Sequence, residues 1–152
     1  MKKASAKTPP KTLGWREWIG LPAFGLESMK AKIDTGAKTS AIHAYKVREF
    51  DRDGAMFVSF YIHPVQRKKK PEIYCEAPVA DRRAVRSSNG KEEIRYVIRT
   101  ELQIGSDVWP AEFTLTNRDQ MGFRALVGRE ALRKRYLIDP SRSFVQKQKT
   151  EK

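Results

Sequence analysis

The chain has 152 residues, with 31 Lys and Arg against 18 Asp and Glu for a formal charge of +13. That length suits one compact domain with its own core and is too short for two well-buried ones, so a single site is expected. A positive field of this size attracts polyanions, which leaves nucleic acid, acidic peptide and negatively charged membrane as partner classes.

Cys75 is the single cysteine, so an internal disulfide is excluded and a reducing compartment, by default the cytoplasm, is expected. The basic first residues lack the apolar run of a signal peptide, and no uncharged apolar stretch is long enough to span a bilayer, so a soluble, unexported protein is expected with no membrane partner.

In chain order, residues 1–12 are rich in Lys, Ala, Ser, Thr and Pro without apolar periodicity and read as a disordered basic arm. Residues 147–152 read as a basic tail, and the domain between, 13–146, carries about +7. Met29, Ala31 and Ile33 alternate with Lys30 and Lys32 as a half-buried strand running into Asp34-Thr35-Gly36. Asp51-Arg52-Asp53-Gly54 is a hairpin turn, followed by the alternation of Met56, Val58, Phe60 and Ile62. Pro64 to Pro78, with Arg67-Lys68-Lys69-Lys70 inside it, breaks the pattern and reads as an exposed loop.

A second turn, Ser87-Ser88-Asn89-Gly90, precedes a long strand whose apolar face is Ile94, Tyr96, Ile98, Thr100, Leu102 and Ile104. Gly105-Ser106-Asp107 then turns the chain into Trp109, Ala111, Phe113 and Leu115. Only Arg129 to Arg135 has a helical pattern, with Ala131, Leu132 and Tyr136 facing the core. Short strands joined by hairpins predict an all-β barrel or sandwich.

Asp-Thr-Gly is ordinary turn chemistry when met alone. Its setting here suits a sharper role. An aspartic peptidase needs two carboxylates that share a proton, one acting on water as base while the other donates to the scissile carbonyl. Each must stand on a rigid turn at the end of an apolar strand, and a glycine after it lets two facing turns approach. About ninety residues later comes Ala125-Leu126-Val127-Gly128-Arg129, an apolar run with a glycine that opens the short helix.

This order of elements resembles the retropepsin family: an apolar strand ending in Asp34-Thr35-Gly36-Ala37, a hairpin, then Leu126-Val127-Gly128-Arg129. It is most similar to the bacterial RimB-type group, some of which carry the older label of ATP-dependent zinc protease. The matching stretches are Gly14 to Trp18, Ala31 to Ala44, Val85 to Gly90 and Leu126 to Arg129, within about residues 14–145. The resemblance implies a closed barrel with a flap hairpin and one short C-terminal helix. It also implies peptide hydrolysis that removes glutamates added to a small-subunit ribosomal protein by the ligase RimK. Asp34 is then the catalytic residue, with Thr35 and Gly36 shaping its turn. Because only one Asp-Thr-Gly exists, the dyad requires a homodimer related by a two-fold axis; Asp119 and Asp139 are weaker candidates for a partner acid within one chain, and Asp139 in Ile138-Asp139-Pro140 reads as a turn residue.

The label's metal and nucleotide find no motif. There is no His-Glu-x-x-His, His43, His63 and Cys75 lack zinc-site spacing, and Gly36-Ala37-Lys38-Thr39 lacks the glycines of a phosphate loop, so no cofactor is assigned. Lys38 stands where viral retropepsins usually have an acidic residue. A cation beside the dyad would shift activity away from the acidic optimum usual in pepsin-like enzymes, or hold an acidic substrate; a lysine pointing to solvent is the alternative. His43 is a substrate contact or a packed ring.

Ser87 and Ser88 fall at the flap tip. Arg86 and Arg95 in the basic flap arms are candidates for bidentate grip on glutamate carboxylates, with a solvated strand face as the alternative. Arg67 to Lys70 and the N-terminal arm read as solvated charge or weak contacts to ribosomal RNA. A non-catalytic basic binding module on the same scaffold, attached to ribosome or RNA, is the alternative function, since a fold does not grant activity.

Overall fold

The computed structural model describes residues 9–65, 71–86, 90–117 and 122–147. Among the described residues, eleven strands, a 3₁₀ turn (Pro22–Phe24) and one short α-helix occur, in the order β1 (Lys11–Leu13), β2 (Arg16–Leu21), the 3₁₀ turn, β3 (Leu26–Asp34), β4 (Ser40–His43), β5 (Tyr45–Arg52), β6 (Ala55–Ile62), β7 (Ile73–Arg86), β8 (Glu92–Ile104), β9 (Asp107–Thr116), β10 (Ala125–Gly128), α1 (Arg129–Leu132) and β11 (Tyr136–Ile138).

Six strands close a barrel in the order β2-β3-β10-β4-β9-β8. Closure is made where Gly20 on β2 meets Gln103 on β8. The expected all-β barrel with one C-terminal helix is what the chain forms. Period-two alternation fills its interior: Met29, Ala31 and Ile33 from β3, Ile98, Leu102 and Ile104 from β8, and Trp109, Ala111, Phe113 and Leu115 from β9 are all buried. Beyond the barrel, β7, β6 and β5 extend the sheet from β8. The β5–β6 hairpin turns on Asp53 and Gly54, both at positive φ, which is the geometry that two-residue hairpins favour.

Three sequence expectations need correction. Ile73 to Pro78 is strand rather than loop, because the first half of β7 pairs with β6 from Ile73 to Pro78 and the second half pairs with β8 from Val79 onward. Pro78 stands at this change of partner, where a missing N–H costs the ladder little. Lys11 and Thr12, assigned to the basic arm, form β1 and pair in parallel with Tyr136 and Leu137 of β11. The helix is a single turn ending at Leu132, and Tyr136 reaches the core from β11. Residues 1–8, Arg67 to Lys70 and 148–152 lie outside the described residues. Among the described residues, no helix is long and apolar enough to cross a membrane.

Glu17 ties the ends of the domain together. It is wholly buried on the inward parity of β2 with Ile19 and Leu21. Its carboxylate accepts backbone N–H bonds from Gly14 at 2.6 Å, Val145 at 2.9 Å and Gln146 at 3.1 Å. Those bonds supply the compensation that a buried polar group requires.

Candidate active site

β3 delivers Asp34 to the rim of the barrel, where the chain turns sharply. The Asp34 Oδ1 accepts the Gly36 N–H at 3.1 Å, and the Asp34 carbonyl accepts the Ala37 N–H at 3.1 Å. This side-chain-closed turn fixes the carboxyl group relative to the strand. β10 braces it from behind. It runs parallel to β3 with Gly128 opposite Asp34, and antiparallel to β4 on its other edge.

Gly128 is where that brace is tightest. A Cβ added there would stand 2.7 Å from the Thr39 carbonyl carbon and 2.8 Å from the Ala37 and Thr39 oxygens. Its N–H donates to the buried Ser40 Oγ at 3.0 Å. Arg129 completes the frame: its backbone N–H donates to the Ala37 carbonyl at 2.8 Å, and its guanidinium reaches the Gly36 carbonyl at 3.2 Å and that of Thr35 at 3.5 Å. Ser40 and Arg129 were not assigned roles from the sequence. The signal for Arg129 was its place directly after the glycine of β10.

Thr35 and Gly36 are exposed at the tip of this braced turn. A Cβ at Gly36 would meet nothing nearer than the Asp34 Oδ1 at 3.4 Å, and its φ lies outside the left-handed region. Within one chain, therefore, steric crowding demands glycine at 128 and not at 36. The Asp34 side chain is 30% exposed. The cation beside it is Lys32, on the same face of β3, with Nζ 4.0 Å from Oδ2. Lys38, the cation expected there, instead lines an adjoining cleft and makes no ion pair among the described residues.

The arms of the flap hairpin are β7 and β8, paired from Arg86↔Glu92 to Val79↔Ile98. Ser87 and Ser88 lie outside the described residues, as does the side chain of Arg86. Arg95 is held by its own strand, donating from Nε to Glu93 at 2.9 Å, and lines a groove with Tyr45, Ile94 and Tyr96. The apolar face of β8 leaves the barrel along this arm, so that Ile94 is 47% exposed while Val97 and Ile98 are buried.

His43 is level with the body of β3 rather than with its turn. Its neighbour Ile42 and residue Ala31 both pair with Ala125, three positions before Asp34, or about 10 Å along a strand. There the His43 ring stacks with Tyr45 and His63 at centroid distances of 6.2 and 6.3 Å. Asp139 is a turn residue, accepting from the Ser141 N–H at 3.0 Å and its hydroxyl at 2.7 Å, which hold its carboxyl below the usual carboxylate range. Asp119 lies outside the described residues. Among the described residues, no three His, Cys, Asp or Glu side chains are grouped to hold a metal ion.

Comparison with known proteins decides the family. Residues 12–149 match the family model for the RimB-like group, described as retropepsin-like aspartic endopeptidase RimB. The chain belongs to the RimB-like family. Among curated relatives, it is 50% identical over 132 residues to a probable alpha-L-glutamate ligase of Shewanella pealeana, covering 87% of this chain and 29% of that protein. It is 47% identical over 131 residues to a protein of the same name from Desulfotalea psychrophila, covering 86% of this chain and 28% of that protein. This RimB-like chain thus spans under a third of the length of those relatives. A solved structure of a Legionella pneumophila protein of unknown function shares the fold, with a TM-score of 0.75, 24% identity, and coverage of 90% of this chain and 98% of that one.

Proposed function

We propose that this RimB-like chain is an aspartic-type peptidase that acts as a homodimer and trims glutamate-rich peptide, its substrate being a ribosomal protein carrying post-translationally added glutamates. The observation that carries this reading is the Asp34 turn: braced from behind by Gly128, Ser40 and Arg129, yet exposed at Thr35 and Gly36, with no atom but the Asp34 Oδ1 within 4 Å of a Cβ at Gly36. A second copy of the turn fits that space across a two-fold axis and brings two Asp34 carboxyls together. The dyad then works as a coupled pair.

One Asp34, ionised, takes a proton from a bound water as its oxygen bonds to the scissile carbonyl carbon. The other Asp34, protonated, gives its proton to the carbonyl oxygen. Collapse of the tetrahedral intermediate breaks the C–N bond, the leaving nitrogen takes a proton, and one water is consumed. Ile94, exposed on the flap arm, offers apolar surface to a cover that excludes bulk water.

Two features support a glutamyl substrate. The curated relatives named as glutamate ligases carry a stretch about half identical to this chain within a longer protein, and glutamate ligation is the reaction that makes a glutamyl tail. The charge of the chain favours an acidic peptide.

The test is to incubate the purified chain with a protein bearing a polyglutamate tail and follow tail length by mass spectrometry, beside Asp34→Asn. Shortening by the wild type alone supports the reading. Equal shortening by both removes Asp34 from the chemistry, and no shortening by either, with salt-sensitive RNA binding, favours a binding module.

A further inference from the structure

A cleft of about 500 Å³ adjoins the Asp34 turn. One wall is the segment that follows the turn, beginning at Lys38; another is the outer face of the sheet, with Arg83 on β7, Arg99 on β8 and Glu112 on β9; the third is α1 and the residues after it, with Glu130, Arg133 and Arg135. Five cations therefore face two carboxylates across one concavity.

The two carboxylates neutralise little. Glu112 stands 3.9 Å from Arg99 and Glu130 stands 3.3 Å from Arg133, in pairs whose arginine side chains are 59% and 64% exposed. Exposed pairs of this kind are weak and open readily. Arg83 pairs through Nε with Asp81 at 2.8 Å, and Arg135 lies over the Trp109 ring at 4.7 Å. Gathering like charges around a cavity is unfavourable unless an anion enters it.

We propose that this cleft is an anchoring subsite for carboxylate side chains of a peptide, outboard of the bond being cut, so that an acidic tail is gripped here while it crosses the Asp34 turn. The inference rests on the peptidase reading above. A short segment joins the turn to the cleft: Lys38 follows Asp34 by four positions, so their Cα atoms are at most about 15 Å apart, the span of about five extended residues. Arg83 belongs to a flap arm and Arg99 follows the other arm where β8 pairs with β9, so a peptide held under the hairpin has the cleft beside it.

Guanidinium groups match carboxylates through paired hydrogen bonds. Single-stranded RNA fits less well, because base stacking needs an exposed aromatic platform. Trp109, the aromatic residue of the cleft, is 5% exposed, with its face under Arg135 and its Nε1–H bonded to the Ala131 carbonyl at 3.1 Å.

The experiment measures binding without turnover, in Asp34→Asn protein, by anisotropy of fluorescein-labelled peptides of ten and of three glutamates. Adding Arg99→Gln and Arg133→Gln together is expected to weaken ten-glutamate binding about tenfold. The three-glutamate peptide, with fewer carboxylates to place in the cleft, is expected to lose less than twofold. Arg48→Gln with Arg52→Gln, the same charge change on β5, is expected to leave both peptides unaffected.

Ten-glutamate binding that is absent, unchanged by the cleft substitutions, or weakened equally by the β5 pair overturns the proposal. So does tighter binding of a labelled oligouridylate, lost in the cleft variant. Because no cleavage is required, these outcomes are separate from failure of the peptidase reading, which shows as an unshortened tail with wild-type protein.

Discussion

Replacing Gly128 by alanine places a methyl group 2.7 Å from the Thr39 carbonyl carbon and 2.8 Å from two carbonyl oxygens. All three neighbours are backbone. Ordinary contact begins near 3.4 Å, so β10 and the Ala37 to Thr39 segment must separate by about 0.6–0.7 Å. The same movement stretches two hydrogen bonds, Gly128 N–H to Ser40 Oγ and Arg129 N–H to the Ala37 carbonyl. Overpacking of this kind costs about 1–3 kcal/mol, and a weakened buried hydrogen bond adds about 1 kcal/mol. A loss of roughly 2–4 kcal/mol corresponds to a urea midpoint lower by about 1–2 M at unchanged slope.

Peptidase activity, assayed at a temperature where the variant remains folded, is expected to fall at least tenfold, because the displaced segment is the one that frames Asp34. Gly54→Ala is a useful control: it strains a residue at φ +85 with nothing within 4 Å, so it should cost about 1 kcal/mol and spare activity. Wild-type midpoint and wild-type activity in Gly128→Ala would refute the bracing role given to β10.

Gly36→Ala should behave in the opposite way. Stability of the single chain changes by less than about 1 kcal/mol, since its φ is compatible and its nearest neighbour is 3.4 Å away, while pairing by sedimentation velocity and activity are both lost; an active dimer would contradict the two-turn dyad. Glu17→Gln puts an amide into a site of three backbone N–H donors and should cost about 2–4 kcal/mol, with faster hydrogen exchange at the Val145 and Gln146 amides. Unchanged exchange there would deny Glu17 its clasp. Burial pushes the Cys75 thiol up to about 12. The folded protein should therefore resist thiol reagents at pH 8 and react only once unfolded in urea. The stability this group contributes is present below the ordinary value of 9.0 and is lost as pH rises from there towards 12; rapid labelling of folded protein would contradict its burial.

Much of the barrel is legible in the sequence because alternation reports burial directly. Trp109, Ala111, Phe113 and Leu115 are inward as their spacing predicts. The same rule fails at Ile94, whose parity is right but whose segment has left the barrel for the flap. It fails at β7 as well, since a proline argues against a strand unless the ladder changes partners there, and pairing between distant segments leaves no local mark. β1 is too short to carry a period.

At the site, Asp34 and its glycine are visible from their strand, but the identity of the nearby cation is not. Lys32 shares Asp34's face of β3 because both lie on one parity, whereas Lys38 follows the turn and is carried into the cleft. Glu17 is a residue type that is seldom buried, and no role was assigned to it from the sequence. Its apolar parity with Ile19 and Leu21 was the available clue. The basic cleft could not be read at all, because its arginines come from β7, β8 and the segment after α1 and meet only when the barrel closes.

The central claim, that the Asp34 turn hydrolyses a glutamyl peptide, is tested most directly by running the tail-trimming reaction in ¹⁸O-labelled water and weighing the products. The account predicts a shortened tail with one ¹⁸O in each newly formed carboxyl group from the wild type, and neither shortening nor label from Asp34→Asn. A tail that keeps its length with the wild type, or label appearing equally in Asp34→Asn, would contradict it.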